Sequence, residues 1–296
     1  MNSRNVLLST LVSVLALPRL LNAQEPPPSF VGSHYPAGVE GIKAGSLPPP
    51  GLYLRDYNYF YWSDDFKNGP PDFKIFAYVQ APRLIWISDF KILGGYYGAD
   101  ILIPFAETDL KAGGVKDSHF GLADIHVEPI TLSWHIKQAD FAVGYAFWAP
   151  TGDFDTKHPA LPGKGFWSHM FTDGATYYFD SEKTWAISAL NRYEINMEHQ
   201  DFPITPGDTD TLEFGISKSL TKSIEVGVVG YYQQQTTEDR GSGSSSELDY
   251  AVSVGPEISL FCSKIGLFTS LRYLREVAVH DRPEGNVVTL TMTKRW

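Results

Sequence analysis

The sequence predicts an all-β fold, a transmembrane antiparallel β-barrel of about twelve strands. Three observations carry that expectation. Long stretches alternate apolar and polar residues in period two, while helix-period patterns are nearly absent. Aromatic residues make up 14% of the chain and gather near the ends of those stretches. The connections between stretches alternate between short and long, as in barrels with short periplasmic turns and longer extracellular loops.

The first residues read as a targeting segment. Arg4 precedes an apolar run from Val6 to Leu17, and Leu21-Asn22-Ala23 supplies a small residue before Gln24. The run is shorter than the roughly 18–20 residues of a spanning helix. Residues 1–23 are therefore expected to be a signal peptide cleaved near Ala23, with the bacterial outer membrane as destination. Cleavage removes Arg4 and Arg19 and no acid, so the net charge goes from −10 to −12. An acidic chain without a basic stripe argues against nucleic acid as a partner. Cys262 is the one cysteine, which excludes an internal disulfide and a thiolate zinc cage.

Residues 24–50 differ from the rest. Pro26-Pro27-Pro28 opens the segment and Pro48-Pro49-Pro50 closes it, a density that opposes strands and favours extended polyproline structure. Between them, Ala37 to Gly45 has room for one or two helical turns. The segment reads either as a linker or as a plug entering the periplasmic mouth, with His34, Tyr35, Glu40 and Lys43 as the plug's candidate residues.

From Gly51 onward the barrel strands are expected at about 51–63, 73–87, 92–106, 119–133, 140–149, 167–179, 185–199, 210–220, 223–234, 249–260, 265–277 and 286–296. Short turns fall at Ser88–Lys91, Trp134–Ala139, Asp180–Thr184, Thr221–Lys222 and Phe261–Lys264. Long loops fall at Asp64–Asp72, Glu107–Ser118, Pro150–Phe166, Gln200–Thr209, Gln235–Leu248 and Ala278–Gly285. Within strands, Leu212, Phe214 and Ile216 alternate with Glu213, Gly215 and Ser217; Val288, Leu290 and Met292 alternate with threonines. Trp86, Trp134, Phe179, Trp185, Phe261 and Trp296 form one expected aromatic girdle. Tyr61, Trp62, Phe105, Phe120, Trp148, Phe166, Trp167, Tyr232 and Tyr250 form the other. Trp296, an aromatic closing an amphipathic strand, is the expected barrel-assembly signal.

Twelve strands imply a narrow lumen, between the side-chain-filled interior of about eight strands and the watery channel of about sixteen. Charged residues in strands should face that lumen, which makes Arg55, Arg83, Arg192, Glu194, Arg272 and Glu276 lumen residues, joined by Tyr57 and Tyr59. Arg192 and Glu194 stand two apart, share a face and suggest an ion pair. A structural network filling the barrel is the plainer reading of these charges, and solute binding the sharper one.

A search for chemistry finds little. Ser118-His119 and Ser168-His169 are adjacent and point to opposite faces of a strand, so neither pair is a nucleophile with its base. The histidines lack metal-ligand spacing. Asp153 with Asp155, and Asp208 with Asp210, read as acidic solvated loop tips before Ca²⁺ ligands. No catalytic residue, metal or cofactor is expected.

Several stretches resemble a known family. They are His34-Tyr35-Pro36 with Glu40-Gly41-Ile42-Lys43, Leu47 to Leu54, Pro82-Arg83-Leu84-Ile85-Trp86, Trp148-Ala149-Pro150-Thr151-Gly152-Asp153, Ala189-Leu190-Asn191-Arg192-Tyr193-Glu194, Gly230-Tyr231-Tyr232-Gln233-Gln234 and Arg282-Pro283-Glu284-Gly285-Asn286. In these the chain is similar to the family associated with the meta-pathway of phenol degradation. The resemblance implies an outer-membrane barrel transporter for aromatic or other hydrophobic compounds, and carries no established site residues. The expected function is passive uptake of such solutes. The alternatives are a structural or adhesion barrel acting through acidic outer loops, and an outer-membrane hydrolase. Expected partners are outer-membrane lipid and lipopolysaccharide, the barrel-assembly machinery and small hydrophobic solutes.

Overall fold

The computed structural model describes residues 32–155, 157–241 and 244–296, so the signal peptide and the first Pro-rich run lie outside the described residues. The strands are β1 (Gly51–Ser63), β2 (Lys74–Ile92), β3 (Gly95–Leu102), β4 (Phe105–Ala112), β5 (Val115–Leu122), β6 (Ile125–His135), β7 (Ala139–Ala149) and β8 (Ser168–Tyr178). They continue as β9 (Trp185–Asn196), β10 (Ile204–Thr205), β11 (Thr209–Ser219), β12 (Ile224–Gln235), β13 (Arg240–Gly241), β14 (Tyr250–Cys262), β15 (Leu267–His280) and β16 (Asn286–Arg295).

Strand β1 pairs with β2 on one side and β16 on the other, always antiparallel, so the sheet closes. The barrel has twelve staves, as the alternation predicts. Two of them are each built from two strands. β3 pairs with β2 from Arg83 to Ile92, and β4 continues along β2 from Lys74 to Gln80. β5 returns along β4, and β6 returns along β3. The expected Glu107–Ser118 loop is thus a hairpin, turned at Gly113-Gly114, both with positive φ. The short turn expected at Ser88–Lys91 lies inside β2 instead. Ser88 bonds through its hydroxyl to the Tyr97 carbonyl at 2.8 Å across an irregular register. The turn falls at Leu93-Gly94, whose φ values of 52° and 80° suit a two-residue hairpin.

The alternation sorts residues as the physics of a closed barrel requires. Backbone polar groups are satisfied between strands, apolar side chains face out and polar ones face in. Leu84, Trp86, Phe171, Trp185, Ile187, Ile216, Val228, Leu260 and Phe261 are exposed on the outer face. Glu194, Glu213, Glu257, Arg272 and Glu276 are buried inside. Most of the expected girdle rings sit on the outer surface, but Tyr61, Trp148 and Phe166 turn inward. Long loops gather at one end of the barrel and short turns at the other; we call these the loop end and the turn end.

Candidate functional site

The described part of the N-terminal segment, residues 32–50, crosses the lumen, and by that position alone we call it the plug. Gly32–Tyr35 contacts the loop ends of β8 and β9, and the chain descends to Pro50, whose carbonyl accepts Arg295 Nη2 at 2.8 Å near the turn end. Its middle forms two consecutive turns, Ala44 N–H to the Gly41 carbonyl at 3.1 Å and Ser46 N–H to the Lys43 carbonyl at 2.9 Å, where helical turns were expected. A chain without regular structure must find partners for its own amides. The barrel supplies them as carboxylates. Glu194 on β9 accepts the N–H groups of His34 at 2.8 Å and Tyr35 at 3.2 Å. Glu213 on β11 accepts those of Gly38 and Glu40, each at 2.9 Å. Glu257 on β14 accepts that of Ile42 at 2.9 Å. Side chains add to this: Tyr35 donates to Glu213 at 2.5 Å, Lys43 pairs with Glu225 at 2.8 Å, and Ser46 donates to Asp140 at 2.8 Å. At Gly45 the segment passes so close to β8 that a Cβ there would meet the Ala175 nitrogen at 2.4 Å.

The sequence-selected lumen residues all point inward, but the one pairing expected among them is not made. Arg192 does not pair with Glu194. It pairs with Glu213 at 3.0 Å and donates to the Tyr35 hydroxyl at 2.7 Å, while Glu194 holds the plug. The i, i+2 spacing places the two on one face but leaves partner choice to the neighbouring strand. Arg55 pairs with Glu40 at 3.1 Å, and Tyr57 donates to Glu40 at 2.5 Å. Arg83 contacts Asp100 and Glu128, both at 2.6 Å. Arg272 pairs with Glu257 at 3.3 Å. Glu276 accepts from Tyr61 at 3.0 Å and Tyr231 at 2.7 Å, and Tyr59 donates to the Ala37 carbonyl at 3.3 Å. Trp296 is exposed, with its N–H on the Leu52 carbonyl at 3.0 Å.

A second junction ties the plug to a long loop. His34 lies 3.0 Å from Asp124 through Nε2 and 2.9 Å from Glu194 through Nδ1, between the rings of Trp148 and Phe166. Asp124, between β5 and β6, also accepts the N–H groups of Gly152 and Lys164, both at 2.8 Å. Burial opposes its charge, yet the His34 ring and these amides hold its carboxyl below the usual carboxylate range. Lys164 is partly buried nearby, and desolvation lowers its ammonium to about 8.

Ser168 Oγ stands 2.8 Å from His34 Nδ1, which with Asp124 outlines a serine, histidine and aspartate row. The row is not arranged for nucleophilic attack. Ser168 is fully buried and donates to Asn196 at 2.6 Å. His34 Nδ1 faces the Glu194 carboxylate at 2.9 Å as well as the serine, and Nε2 faces Asp124, so the ring is not set aside as a base for Ser168. The acidic pairs in the loops gather no ligand set among the described residues. Asp208 accepts the Asn196 amide at 3.1 Å, and Asp155 accepts that of Lys157 at 2.9 Å.

Above the plug, at the loop end, lies a cavity of about 530 Å³. Its floor is His34, Tyr35, Val39 and Glu40. One wall is apolar, formed by Ile75, Ala77, Val79 and Ala81 of β2 with Leu102 and Ala106. Opposite stand Trp148, Phe166, Met170 and the loop residues Pro159 to Pro162. Three of the residues lining it carry a buried ring nitrogen that makes no hydrogen bond among the described residues: His126 at both nitrogens, Trp148 at Nε1 and His199 at Nε2. Sequence reasoning assigned Trp148 to an outer girdle and passed over His126, His199, Glu257 and Asp124. Glu213 was visible as a polar position in its strand, but nothing local marks which polar positions receive a plug.

A closed twelve-stave barrel with an apolar outer belt and a polar, plugged lumen is an outer-membrane-type β-barrel. The chain belongs to the family described as "Putative MetA-pathway of phenol degradation", whose model matches residues 62–292. Among solved structures, it is similar to the COG4313 outer membrane channel from Pseudomonas putida F1, with TM-score 0.76, 13% identity, and 89% of this chain and 100% of that one covered. It is also similar to the β domain of the Bordetella autotransporter Brka, with TM-score 0.51, 11% identity, and 84% and 100% covered. The translocator domain of the autotransporter NalP from Neisseria meningitidis follows at TM-score 0.50 and 7% identity, with 86% and 92% covered. At these identities the likeness shows the fold alone. No curated protein matches the sequence.

Proposed function

We propose that the protein is a channel of the bacterial outer membrane for passive uptake of small hydrophobic or aromatic solutes, with the loop-end cavity as its vestibule. The cavity carries this reading. Its volume, about 530 Å³, falls in the range of small-molecule pockets, and its apolar walls with few polar groups follow their usual make-up. A small rotation of the His126, Trp148 or His199 ring would turn a buried, unbonded nitrogen toward a solute hydroxyl, which favours hydroxylated aromatics over plain hydrocarbons. The family description points to the same solute class. On this reading, the partners are lipopolysaccharide and outer-membrane lipid around the barrel, the assembly machinery reading the strand that carries Trp296, and the solute. Passage beyond the vestibule requires the plug to shift.

The test is uptake of phenol into lipopolysaccharide-containing vesicles. The protein should accelerate uptake over protein-free vesicles, Ala106→Trp should cut the gain severalfold by filling the vestibule, and His126→Phe should reduce it for phenol more than for toluene. Uptake no faster than in protein-free vesicles overturns the channel.

A further inference from the structure

The loop end holds a cluster that makes no bond to the plug and borders the cavity through His158 alone. Asp117 and His119 alternate on β5 and share a face. The long loop after β7 brings His158 to them. His119 Nδ1 lies 3.1 Å from Asp117 Oδ1, and His158 Nδ1 lies 3.6 Å from the same oxygen. The ligand atoms of all three lie within 4.8 Å of one another, and the two imidazoles stand edge to face with centroids 4.8 Å apart. Asp117 is oriented from behind: its Oδ2 accepts the Ala160 N–H at 3.1 Å, while Oδ1, which accepts the Ser118 N–H at 3.1 Å, turns toward the histidines. His119 Nδ1 is shielded from solvent yet makes no hydrogen bond among the described residues.

The geometry points to a divalent-cation site of the zinc class formed by Asp117, His119 and His158. Tetrahedral Zn²⁺ with ligands at about 2.0–2.2 Å keeps its donors about 3.3–3.6 Å apart. The observed 3.1 and 3.6 Å are near that spacing, and ring rotation closes the remaining gap. Two imidazoles and one carboxylate suit Zn²⁺ and its neighbours, whereas Ca²⁺ and Mg²⁺ prefer more oxygens. The fourth position falls to water. A cation here ties β5 to the loop carrying Pro159 and Ala160, which line the cavity. Bound metal therefore fixes the mouth of the vestibule. The cluster formed by Glu247, His280 and Asp281 offers a single imidazole and serves as the internal control.

The experiment is calorimetric titration of the folded protein in detergent with Zn²⁺ alone, and with Co²⁺ for its visible spectrum. The site predicts one tight equivalent with a tetrahedral Co²⁺ spectrum. His119→Ala and His158→Ala should each weaken Zn²⁺ binding at least tenfold, while His280→Ala leaves it unchanged and Ca²⁺ does not compete. Circular dichroism and electrophoretic heat-modifiability confirm that each variant folds. Equal Zn²⁺ affinity in the His119→Ala/His158→Ala double variant, loss of binding in His280→Ala, or no binding at all overturns the proposal.

Discussion

Strands β9 to β15 and strands β2 to β6 face one lumen and treat it differently. The first wall is a ladder of acceptors: Glu194, Glu213 and Glu257 collect five backbone N–H groups of the plug. The second meets the plug near the loop end through a single carboxylate, Asp124, 3.0 Å from His34 Nε2. Ile75, Ala77, Val79 and Ala81 face inward there, and Arg83 below them is taken by Asp100 and Glu128. The plug therefore lies against the first wall, and the cavity opens along the second. A barrel that distributed its carboxylates evenly would centre the plug and leave no vestibule. The asymmetry of inward-facing residues, more than the strand count, decides where a solute can sit.

The largest expected effect comes from removing what the first wall holds. Deleting residues 24–48 should raise single-channel conductance severalfold, because the ladder then faces open water. Unchanged conductance would mean that the plug does not limit the path. Glu213→Ala cuts one rung only. It strips Arg192 of its carboxylate and removes the acceptor for Tyr35, Gly38 and Glu40. Losing one partner of a buried pair costs about 3 kcal/mol or more, so the urea unfolding midpoint should fall and conductance should become noisy. A variant as stable and as quiet as the parent would show that the ladder is decorative.

A smaller effect sharpens the junction between plug and loop. The folded-state pKa of Asp124 is depressed, so its contribution is present above the ordinary aspartate value of about 3.9 and is lost as pH falls through the folded value. The Gly152 and Lys164 amides should thus keep their hydrogen-exchange protection from pH 7 down to about 4 and lose it in stronger acid. Asp124→Asn should lower that protection by about 2 kcal/mol at neutral pH, the worth of charge-assisted hydrogen bonds, and should flatten its acid dependence. Protection unaltered by the substitution would place the loop's anchorage elsewhere.

How much of this was legible depends on the range of the interaction. β16 could be read from Val288 to Thr293 because alternation is a local property, and its pairing with β1 from Tyr53 to Trp62 follows once the sheet closes. The β2–β3 turn was misplaced because Ser88-Asp89 looks like a breaker, while the hydroxyl that keeps the strand going reaches Tyr97, nine residues on. Arg192 and Glu194 were correctly set on one face and wrongly paired, because β11 and the plug supply their partners. The Asp117, His119 and His158 cluster could not be read at all. Its spacing exists only after a loop of some forty residues' separation folds back.

The second wall also inverts the usual sorting, and that inversion can be tested. Behind its apolar inner face, the outer face of β2 carries Tyr78 and Gln80, and the adjoining β1 carries Asp56 and Asn58. Asn58 donates to Asp56 at 3.0 Å, and Tyr78 donates to Asn58 at 2.8 Å. The rule that strand charges face the lumen fails at Asp56, which lies opposite Met292 on β16 and Pro82 on β2. Two physical accounts compete. If this sector meets hydrocarbon, the carboxylate is tolerated because its neighbours solvate it, and it still costs about 1 kcal/mol, less than a basic residue at the same depth. If a polar surface shelters the sector, the network contributes net stability. The belt of exposed apolar residues on the other strands favours the first account. Asp56→Leu should therefore raise the unfolding free energy in lipid vesicles by about 1 kcal/mol. A loss of stability on that substitution would mean that the outer face of the second wall, like the inner face of the first, is built to be covered by polar groups.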